Sequence, residues 1–278
     1  MQLQARSYGD LFSDFLRAYY HGPDHPSKLR ILKWIESLAG NKRILVKTGA
    51  GFRFAVDRRD YIQRTVFESR TWEPEIERIL QAVICPGDIF YDIGANVGYF
   101  SLLALQMGCD CVIAFEPRLE LAAIYRHNME INQFSNSKWN LLNEALSDSP
   151  GTSFYVPGPI ENSGIGHLAS GFSDGGTMIE VQTLDDVIES KQLLIPTVIK
   201  MDVEGWELQI LKGAVRTFSN NPPRVVIFEA DADSSGGILD PTLASFFIQR
   251  GYSIKLLKRE MCICEAKENY IATRNEIP

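Results

Sequence analysis

The sequence predicts an α/β fold: a doubly wound, mostly parallel, Rossmann-like sheet with an antiparallel C-terminal strand. Three observations support this prediction. Short apolar strands alternate with helical segments from residue 89 to residue 251, which is typical of repeated βαβ units. A glycine-containing loop joins the first of these strands to its helix, as in nucleotide-binding sheets. The last two strands are connected too tightly for a helical crossover, so we expect them to pair antiparallel.

The composition is that of a globular protein without a basic bias. The chain has 278 residues, of which 45% are apolar and 23% charged, and its net charge is −7. This excludes a disordered or coiled-coil protein and gives no basic footprint for nucleic acid. No apolar run reaches the roughly 18 residues that a membrane span needs, and acids stand where a signal peptide would be apolar. We expect a cytoplasmic protein with no membrane span and no nucleic-acid partner. The oligomeric state is not indicated.

The N-terminal region has a pattern of its own. Residues 1–41 have helical periodicity, and residues 43–57 contain two apolar alternations around a glycine-rich turn, which predicts a β-hairpin. Two short helices follow before the first parallel strand. We therefore expect an N-terminal helical and β-hairpin extension over residues 1–72 and the main α/β domain over residues 73–278.

The main domain is predicted element by element from its apolar periodicity. The predicted strands cover residues 89–95, 111–117, 139–148, 197–205, 224–230, 252–259 and 261–274. The predicted helices cover residues 96–108, 119–132, 206–221 and 241–251.

One segment, residues 151–188, breaks this alternation. It is rich in Gly, Ser and Pro and is too long for a simple connection. We expect an insertion that forms either an active-site loop or an extra edge hairpin. Its place before the fourth parallel strand puts it near the carboxyl edge of the sheet, where ligands bind.

The strongest site motif is the loop Asp92-Ile-Gly94-Ala-Asn96-Val-Gly98, between the first strand and its helix. We expect Gly94 to allow a sharp turn and to omit a Cβ that would block a ligand. Gly98 should let the helix start approach the strand. The helix N-terminus offers unpaired N–H groups to a polar or anionic group. Asp92, at the strand end, suits a ligand with an ammonium group or hydroxyls.

A second acid, Glu116, ends the next strand, 22 residues after Gly94. An acid at about this distance is what the ribose hydroxyls of a nucleoside need. Either acid alone is also typical of a solvated strand end, but the two together favour a nucleoside site. The loop has the spacing G-x-N-x-G, with Asn96 where a dinucleotide site has its second glycine. A sulfonium nucleoside with an amino-acid tail fits this loop better than a pyrophosphate, with Asp92 near the ammonium group.

These motifs resemble the FkbM family of S-adenosylmethionine-dependent methyltransferases. The resemblance rests on DIGANVGYFS, AFEP and IKMDVEGWELQILKGA and spans roughly residues 40–230. It implies a class I methyltransferase-like fold, S-adenosylmethionine as cofactor, and O-methylation of a hydroxyl on a sugar or natural-product-type small molecule. The cofactor-binding residues that follow are Asp92, Gly94, Asn96, Gly98, Glu116, Pro117, Glu144 and Ala145.

Upstream of the first motif, Glu73 is a further candidate at the cofactor mouth. It precedes Pro74 at a predicted helix start, and a proline at the first helical position is also an ordinary structural arrangement.

Carboxylates at the ends of the fourth and fifth strands are the candidate catalytic groups. They are Asp202 and Glu204 on one strand end and Glu229 on the next. Methyl transfer to a hydroxyl requires that the hydroxyl be positioned and lose its proton. A carboxylate could act as general base, or Asp202 and Glu229 could hold Mg²⁺ that acidifies the hydroxyl. We favour chemistry without a metal, because spacing alone does not guarantee a cation cage. Glu204 is equally well explained as an acid at a helix N-terminus.

His167 is the histidine that lies in the predicted insertion, and it is therefore the best histidine candidate for a general base. A lone loop histidine is more often only solvent-exposed.

Two other functions stay open at this point. A nicotinamide-dependent oxidoreductase is disfavoured by the G-x-N-x-G spacing and by the absence of a Tyr-x-x-x-Lys pattern. A nucleoside-binding regulatory module without catalysis is disfavoured by the extra carboxylates.

Overall fold

The structure is a computed structural model that describes residues 43–159, 161–169, 176–258 and 267–274, with six isolated residues between 15 and 30. The helical region expected over residues 1–41 lies essentially outside the described residues. The division of the chain at residue 72 stays a prediction.

Outside residues 139–191 and 206–221, the described strands and helices follow the predicted alternation. The strands are β1 (Ile44–Lys47), β2 (Arg53–Val56), β3 (Ile89–Ile93), β4 (Cys111–Phe115), β5 (Trp139–Leu142), β6 (Ala145–Leu146), β7 (Gly151–Val156), β8 (His167–Ala169), β9 (Thr177–Gln182), β10 (Val198–Met201), β11 (Val225–Asp231), β12 (Ser253–Leu257) and β13 (Lys267–Thr273). The helices are α1 (Tyr61–Ser69), α2 (Pro74–Val83), α3 (Tyr99–Met107), α4 (Leu119–Ile131), α5 (Leu184–Lys191), α6 (Glu207–Lys212), α7 (Val215–Asn220) and α8 (Pro241–Ile248).

A seven-stranded sheet has the strand order β12-β13-β11-β10-β3-β4-β5. The pairs from β11 through β10, β3 and β4 to β5 are parallel, whereas β13 runs antiparallel to both β11 and β12. This confirms the mostly parallel sheet with an antiparallel C-terminal strand. The predicted hairpin is also confirmed, since β1 and β2 pair antiparallel.

Two apolar clusters cover the two faces of the sheet. Adjacent residues of a strand point to opposite faces, so Phe90 joins the cluster of α1 to α4 and Tyr91 joins the cluster of α5 to α8. Both side chains are fully buried. The hairpin contributes Phe52 and Phe54 to the first cluster. The extension and the sheet therefore share one core on that face.

The predicted third strand, residues 139–148, is divided in the structure. β5 belongs to the main sheet, whereas β6 pairs with β9 in a second, four-stranded sheet. Between them, the Asn143 side-chain amide donates a hydrogen bond to the Glu116 carbonyl oxygen at 3.0 Å. That bond anchors the chain where it leaves one sheet for the other, so the prediction of one continuous strand is wrong.

The predicted helix over residues 206–221 is also divided, at Gly213. Its carbonyl oxygen accepts from the backbone N–H of Asp185 on α5. The Asp185 carboxylate in turn accepts from the backbone N–H groups of Arg216 and Thr217, at 2.7 Å and 2.9 Å. These bonds replace those of a continuous helix, so α7 begins on an acid that another helix supplies.

The segment 151–188 forms both structures that were considered for it. β7 pairs antiparallel with β8 and β9 to build most of the second sheet. The 3₁₀ turn Ser163–Ile165 between β7 and β8 reaches back toward the main sheet. Across the described part of the chain, no helix combines the length and apolar character needed to cross a membrane.

Candidate active site

Two adjoining cavities open where β3, β4 and β10 reach their carboxyl ends. The first measures about 120 Å³ and the second about 60 Å³. They share four lining residues, which are Gly94, Asn96, Gly164 and Asp202. A ligand longer than either cavity can therefore lie across both.

The two motif glycines make room for protein rather than for a ligand. Gly94 has a φ of +79°, and a Cβ there would lie 2.0 Å from the Asp202 carbonyl oxygen. The turn at Gly94 is thus confirmed, but its missing side chain admits the end of β10. At Gly98, with a φ of +89°, a Cβ would lie 2.7 Å from the ring of Tyr125 on α4. Gly98 was expected to let the start of the helix approach the strand, but its close neighbour is the Tyr125 ring.

Glu116 lies at the second cavity with its carboxylate held by the loop. It is 5% exposed and accepts hydrogen bonds from the backbone N–H groups of Asn96 and Arg118, both at 2.9 Å. Burial raises the pKa of Glu116 to about 7, against the lowering effect of those bonds. Each carboxylate oxygen can still accept another donor, so the group fits a pair of ribose hydroxyls.

The other residues expected on the nucleoside side also line the second cavity: Pro117, Glu144 and Ala145. One Glu144 oxygen pairs with the Lys191 ammonium at 2.7 Å. The other, Oε2, is buried and has no hydrogen-bond partner among the described residues. Such an orphaned acceptor suits a ligand that brings a donor.

His167 lines this second cavity and not the first. Its ring is exposed, and Nδ1 lies 3.4 Å from the Ile165 carbonyl oxygen. The structure therefore brings His167 to the cavity of Glu116 and Glu144, which Asp202 also lines, but not to the cavity of Glu204 and Glu229.

Asp92 lies beneath the loop and lines neither cavity. It is 1% exposed, and Oδ2 accepts from the Ser101 hydroxyl at 2.6 Å. Burial raises the pKa of Asp92, while the Lys200 ammonium opposes that shift. Its Oδ1 is buried without a hydrogen-bond partner in the described structure. Asp92 supports the loop from below, and its contact with the ammonium group of a ligand stays a prediction.

The first cavity collects the carboxylates that were predicted at neighbouring strand ends. Asp202, Glu204 and Glu229 each place a carboxylate oxygen within 4.8 Å of the others. Glu229 is 8% exposed, and burial, with the nearby Asp202 charge, raises the pKa of Glu229 to about 8.

Two lysines that the sequence reasoning missed accompany these acids. Lys200 is 3% exposed, and its ammonium lies 3.0 Å from Asp202 and 4.8 Å from the ring centre of Phe100. The Lys267 ammonium lies 2.6 Å from Glu204 and 3.4 Å from Glu229. Lys200 could have been found, since residues two apart on a strand share a face. No local sequence pattern indicates that Lys267 lies near these acids.

Glu73 reaches this cavity from the start of α2, with Pro74 following it in the first turn as expected. One of its oxygens accepts from the Asn269 side-chain amide at 3.3 Å, and the other is buried without a partner in the described part of the chain. Burial, followed by the charge of Asp202, raises the pKa of Glu73 to about 7. Asn269 is a further residue that the sequence did not indicate.

Left-handed backbone conformations cluster around the same cavity. Glu73, Asn96 and Glu204 have φ values of 43°, 50° and 56°, and all three line the first cavity. Such conformations cost free energy in residues with a Cβ and concentrate at functional sites.

The 3₁₀ turn between β7 and β8 closes over both cavities. The Ser163 backbone N–H donates to the Asp60 carboxylate at 2.8 Å, and the Asn96 side-chain amide donates to the Ser163 hydroxyl at 3.3 Å. Asn162 lines the first cavity and Ser163 the second. Asp60, which begins α1 as its N-cap, thus ties the N-terminal region to the loop that Glu116 holds.

A cavity at the acidic end of β4, joined to another at the ends of β10 and β11, is the arrangement of a Rossmann-like methyltransferase. The orphaned oxygen of Glu144 and the remaining acceptor capacity of Glu116 fit S-adenosylmethionine. Comparison with known proteins agrees: the chain belongs to the FkbM methyltransferase domain family, which matches residues 92–254.

Three individual relatives have sequence identities of 28% or less to this chain. The chain is 28% identical over 207 residues to the hexuronic acid methyltransferase AglP of Haloferax volcanii, covering 73% of this chain and 82% of AglP. The solved structure of PH0793 from Pyrococcus horikoshii has a TM-score of 0.50 at 12% identity, covering 89% of this chain and 82% of that one. The FkbM methyltransferase of Methylobacillus flagellatus has a TM-score of 0.48 at 21% identity. It covers 68% of this chain, but this chain spans only 44% of it.

Proposed function

We propose that this chain transfers the methyl group of S-adenosylmethionine to a hydroxyl of a sugar or a similar polyhydroxylated small molecule. The observation that carries the proposal is the two-part cavity, with Glu116 on one side and Asp202 and Glu229 on the other. The similarity to AglP, whose name specifies a hexuronic acid, supports a sugar acceptor.

The second cavity holds the nucleoside. Glu116 accepts hydrogen bonds from the ribose hydroxyls while the N–H groups of Asn96 and Arg118 keep its carboxylate in place. Pro117 and Ala145 provide apolar contact for the base, and Glu144 offers its unpaired oxygen to a donor. When bound, the cofactor would supply an electrophilic methyl group, and Gly94 and Asp202 would lie between it and the acceptor because they line both cavities.

The first cavity holds the acceptor. Asp202 and Glu229 accept hydrogen bonds from its hydroxyls and so orient the oxygen that is methylated. One of these carboxylates would take the hydroxyl proton as the O–CH₃ bond forms and the S–CH₃ bond breaks, with the electron pair staying on sulfur as a neutral thioether. Glu229 suits this step best, because its raised pKa of about 8 makes it a stronger base than an ordinary carboxylate. Tyr61 and Trp72, which also line this cavity, offer aromatic surface to the apolar face of a sugar ring.

No metal ion is needed in this proposal. Asp202, Glu204 and Glu229 have a spacing that Mg²⁺ can use, but the Lys267 ammonium already lies 2.6 Å from Glu204 and 3.4 Å from Glu229. We expect EDTA to leave methyl transfer unchanged. Inactivation by EDTA that Mg²⁺ reverses would show instead that Asp202 and Glu229 hold the ion.

The experiment is a search for the acceptor with deuteromethyl-labelled S-adenosylmethionine. Source-cell extracts and a panel of sugars, sugar acids and glycosides are incubated with the protein, and mass spectrometry identifies molecules that gain a CD₃ group. The matched control is Glu116→Ala, which should lose labelling. Thermal shift with S-adenosylmethionine and with NAD is measured in parallel. Stabilisation by NAD alone would refute the proposal, and cofactor binding without labelling of any molecule would favour a binding module.

A further inference from the structure

A lysine from the last strand lies beside the acids of the first cavity. Lys267 is the first residue of β13, which pairs antiparallel with β11 so that Asn269 lies opposite Glu229. Residues two apart on a strand share a face, and so do directly opposed residues of paired strands. The register of β13 therefore brings Lys267, Asn269 and Glu229 to one face of the sheet.

The Lys267 ammonium joins the ends of two neighbouring strands. It lies 2.6 Å from a Glu204 oxygen, in the loop after β10, and 3.4 Å from a Glu229 oxygen on β11. Burial opposes the charge of Lys267, but the hydrogen bond to Glu204 and the charge of Glu229 outweigh burial and raise the pKa of Lys267. Lys267 is therefore a cation at neutral pH.

The other ammonium group of the site has a separate partner. Lys200 is buried, and its ammonium lies 3.0 Å from Asp202 and over the ring of Phe100. Lys200 also lines the first cavity, whereas Lys267 lines neither cavity. Lys267 therefore reaches a ligand only through Glu204 and Glu229, which do line the first cavity.

The position of the Lys267 ammonium is one that a divalent cation could otherwise use. Asp202, Glu204 and Glu229 each place a carboxylate oxygen within 4.8 Å of the others, and Mg²⁺ binds such oxygens at about 2.0–2.1 Å. An ion between Glu204 and Glu229 would have to displace the ammonium, and the two cations would repel each other. The tethered lysine and a metal ion therefore exclude each other at these two acids.

We propose that Lys267 is a positioning residue for methyl transfer: it holds the Glu229 carboxyl group at the first cavity, in the place where a divalent cation would otherwise hold it. One Glu229 oxygen is held by the ammonium, which restricts the rotation of the carboxyl group and leaves the other oxygen available to the acceptor hydroxyl.

This inference rests on the proposed function. In that reaction Glu229 takes the hydroxyl proton as the O–CH₃ bond forms and the S–CH₃ bond breaks, with the electron pair staying on sulfur. Lys267 keeps its own proton throughout and touches neither the cofactor nor the acceptor.

The first test measures cation binding and needs neither cofactor nor acceptor. Mg²⁺ is titrated calorimetrically into the wild type and Lys267→Ala, at a pH above the pKa of Glu229, which is about 8. We expect the variant to bind Mg²⁺ at least about tenfold more tightly, because the acids lose their resident cation. Lys267→Met, which keeps most of the side-chain volume, is measured in parallel, and thermal melting shows that each variant is folded. Equal affinities, or no binding by any of the folded proteins, would overturn the proposal.

The second test separates a positioning role from a structural one by chemical rescue. With the acceptor identified by labelling, Lys267→Ala should lower kcat by about tenfold to a hundredfold, the scale of a misplaced reacting group, while the KM for S-adenosylmethionine changes less. Ethylammonium chloride should restore part of the lost rate, because this small cation can enter the space that the side chain vacates. Sodium chloride at the same ionic strength should not. Full turnover in the folded variant, or equal effects of the two salts, would overturn the proposal.

Lys138→Ala is the matched control. Lys138 forms an exposed pair with Asp110, and its carbonyl oxygen accepts from the Val112 N–H at the amino end of β4, opposite the site. The control should change neither Mg²⁺ affinity nor turnover. If the wild type methylates no acceptor, the proposed function fails, and the Mg²⁺ titration still decides whether Lys267 occupies the place of the cation.

Discussion

The individual residues of the site have three features that destabilise a folded protein and that are unusual on an ordinary protein surface. Glu116 and Glu229 are buried carboxyl groups, and Glu73 keeps a buried oxygen without a partner in the described structure. Asn96 and Glu204 adopt left-handed backbone conformations that glycine adopts more readily. Proteins retain such features where a ligand supplies what the fold leaves unsatisfied.

Glu116→Ala should weaken S-adenosylmethionine binding by about 2–4 kcal/mol, the scale of a lost pair of charge-assisted hydrogen bonds. The carboxylate also accepts from the N–H groups of Asn96 and Arg118, so the alanine variant loosens the loop as well. Isothermal titration measures the affinity. Glu116→Gln keeps one carbonyl acceptor and should lose less. Unchanged affinity in the alanine variant would remove Glu116 from the site.

Asp202→Asn and Glu229→Gln should each lower turnover by a factor on the order of 10² or more, as expected for a positioned general base. Cofactor affinity should change much less. If Asp202 supports the methionine tail instead, its variant will weaken binding and spare turnover. Rates with the identified acceptor and titrations of S-adenosylmethionine separate these outcomes, and full turnover in both variants would exclude the two carboxylates from the mechanism.

The wild-type rate should also rise with pH through about 8, because Glu229 must lose its proton before it can accept one from the acceptor. Burial raises this pKa, so the rate falls as pH drops below that value. The groups that face Glu229 and modulate its titration are Asp202, Glu204, Glu207 and Lys267. A flat profile between about pH 6 and about pH 9, a range that brackets the pKa of Glu229, would contradict the assignment of Glu229 as the base.

At the scale of elements, the site depends on strand ends that approach each other closely. The loop after β3 and the end of β10 are in backbone contact at Gly94, and this contact holds the wall between the two cavities. A Cβ at Gly94, expected from the sequence to block a ligand, would instead collide with the end of β10 and so disturb the fold.

Gly94→Ala should destabilise the protein by more than about 2 kcal/mol, because overpacking adds to the cost of a left-handed conformation. Gly108→Ala is the matched control, since Gly108 also has a positive φ, of +95°, but has no neighbouring atom within 4 Å of its Cβ position. It should cost only about 1–2 kcal/mol. Urea denaturation measures both, and equal losses would show that the contact with Asp202 is unimportant.

At the scale of the whole molecule, the two edges of the sheet differ in how their acidic side chains are partnered. At the carboxyl edge, acidic side chains outnumber basic ones in the lining of the first cavity, and Glu73, Asn96 and Glu204 have left-handed backbone conformations. At the amino edge, Asp88 is buried and fully partnered. It accepts from the Thr197 hydroxyl at 2.7 Å and the Cys85 N–H at 2.9 Å, and it pairs with the Arg224 guanidinium. This network joins β3, β10 and β11 at the end opposite the site.

Asp88→Asn should lower the free energy of unfolding by about 1.5–3 kcal/mol at pH 7, the scale of a hydrogen bond to a charged group, since Arg224 loses its charged partner but stays partly exposed and still donates to the Val83 carbonyl oxygen. Burial raises the pKa of Asp88, but the bonds from Arg224, Thr197 and Cys85 outweigh burial and leave it below the ordinary value of 3.8. Its contribution is therefore present above that value and is lost as pH falls through the folded-state pKa. Denaturation at pH 7 and at about pH 3 should show the difference shrinking.

The matched control is Asp57→Asn, which breaks a surface pair with Arg59 and should change stability little. Equal effects of the two substitutions would show that burial of the Asp88 network does not matter.

The sequence by itself determined the succession of strands and helices, the G-x-N-x-G loop and the placement of Glu116, because each depends on residues close together in the chain. Apolar periodicity and turn chemistry are local, so these features were readable without the fold. The two divided elements were not predicted, because each division depends on a contact between residues that are far apart in the chain. The break after β5 depends on Asn143 reaching Glu116, and the break at Gly213 depends on Asp185 of another helix.

Only the tertiary structure decided what surrounds the acids. β13 lies between β11 and β12, and this strand order brings Lys267 to Glu204, 63 residues earlier in the chain, and Asn269 to Glu73, 196 residues earlier. It also decided that His167 lines the second cavity and that Asp92 is buried beneath the loop. Charge pairing, desolvation and burial depend on which distant segments meet, and this is why local patterns predicted the carboxylates but not their electrostatic environment.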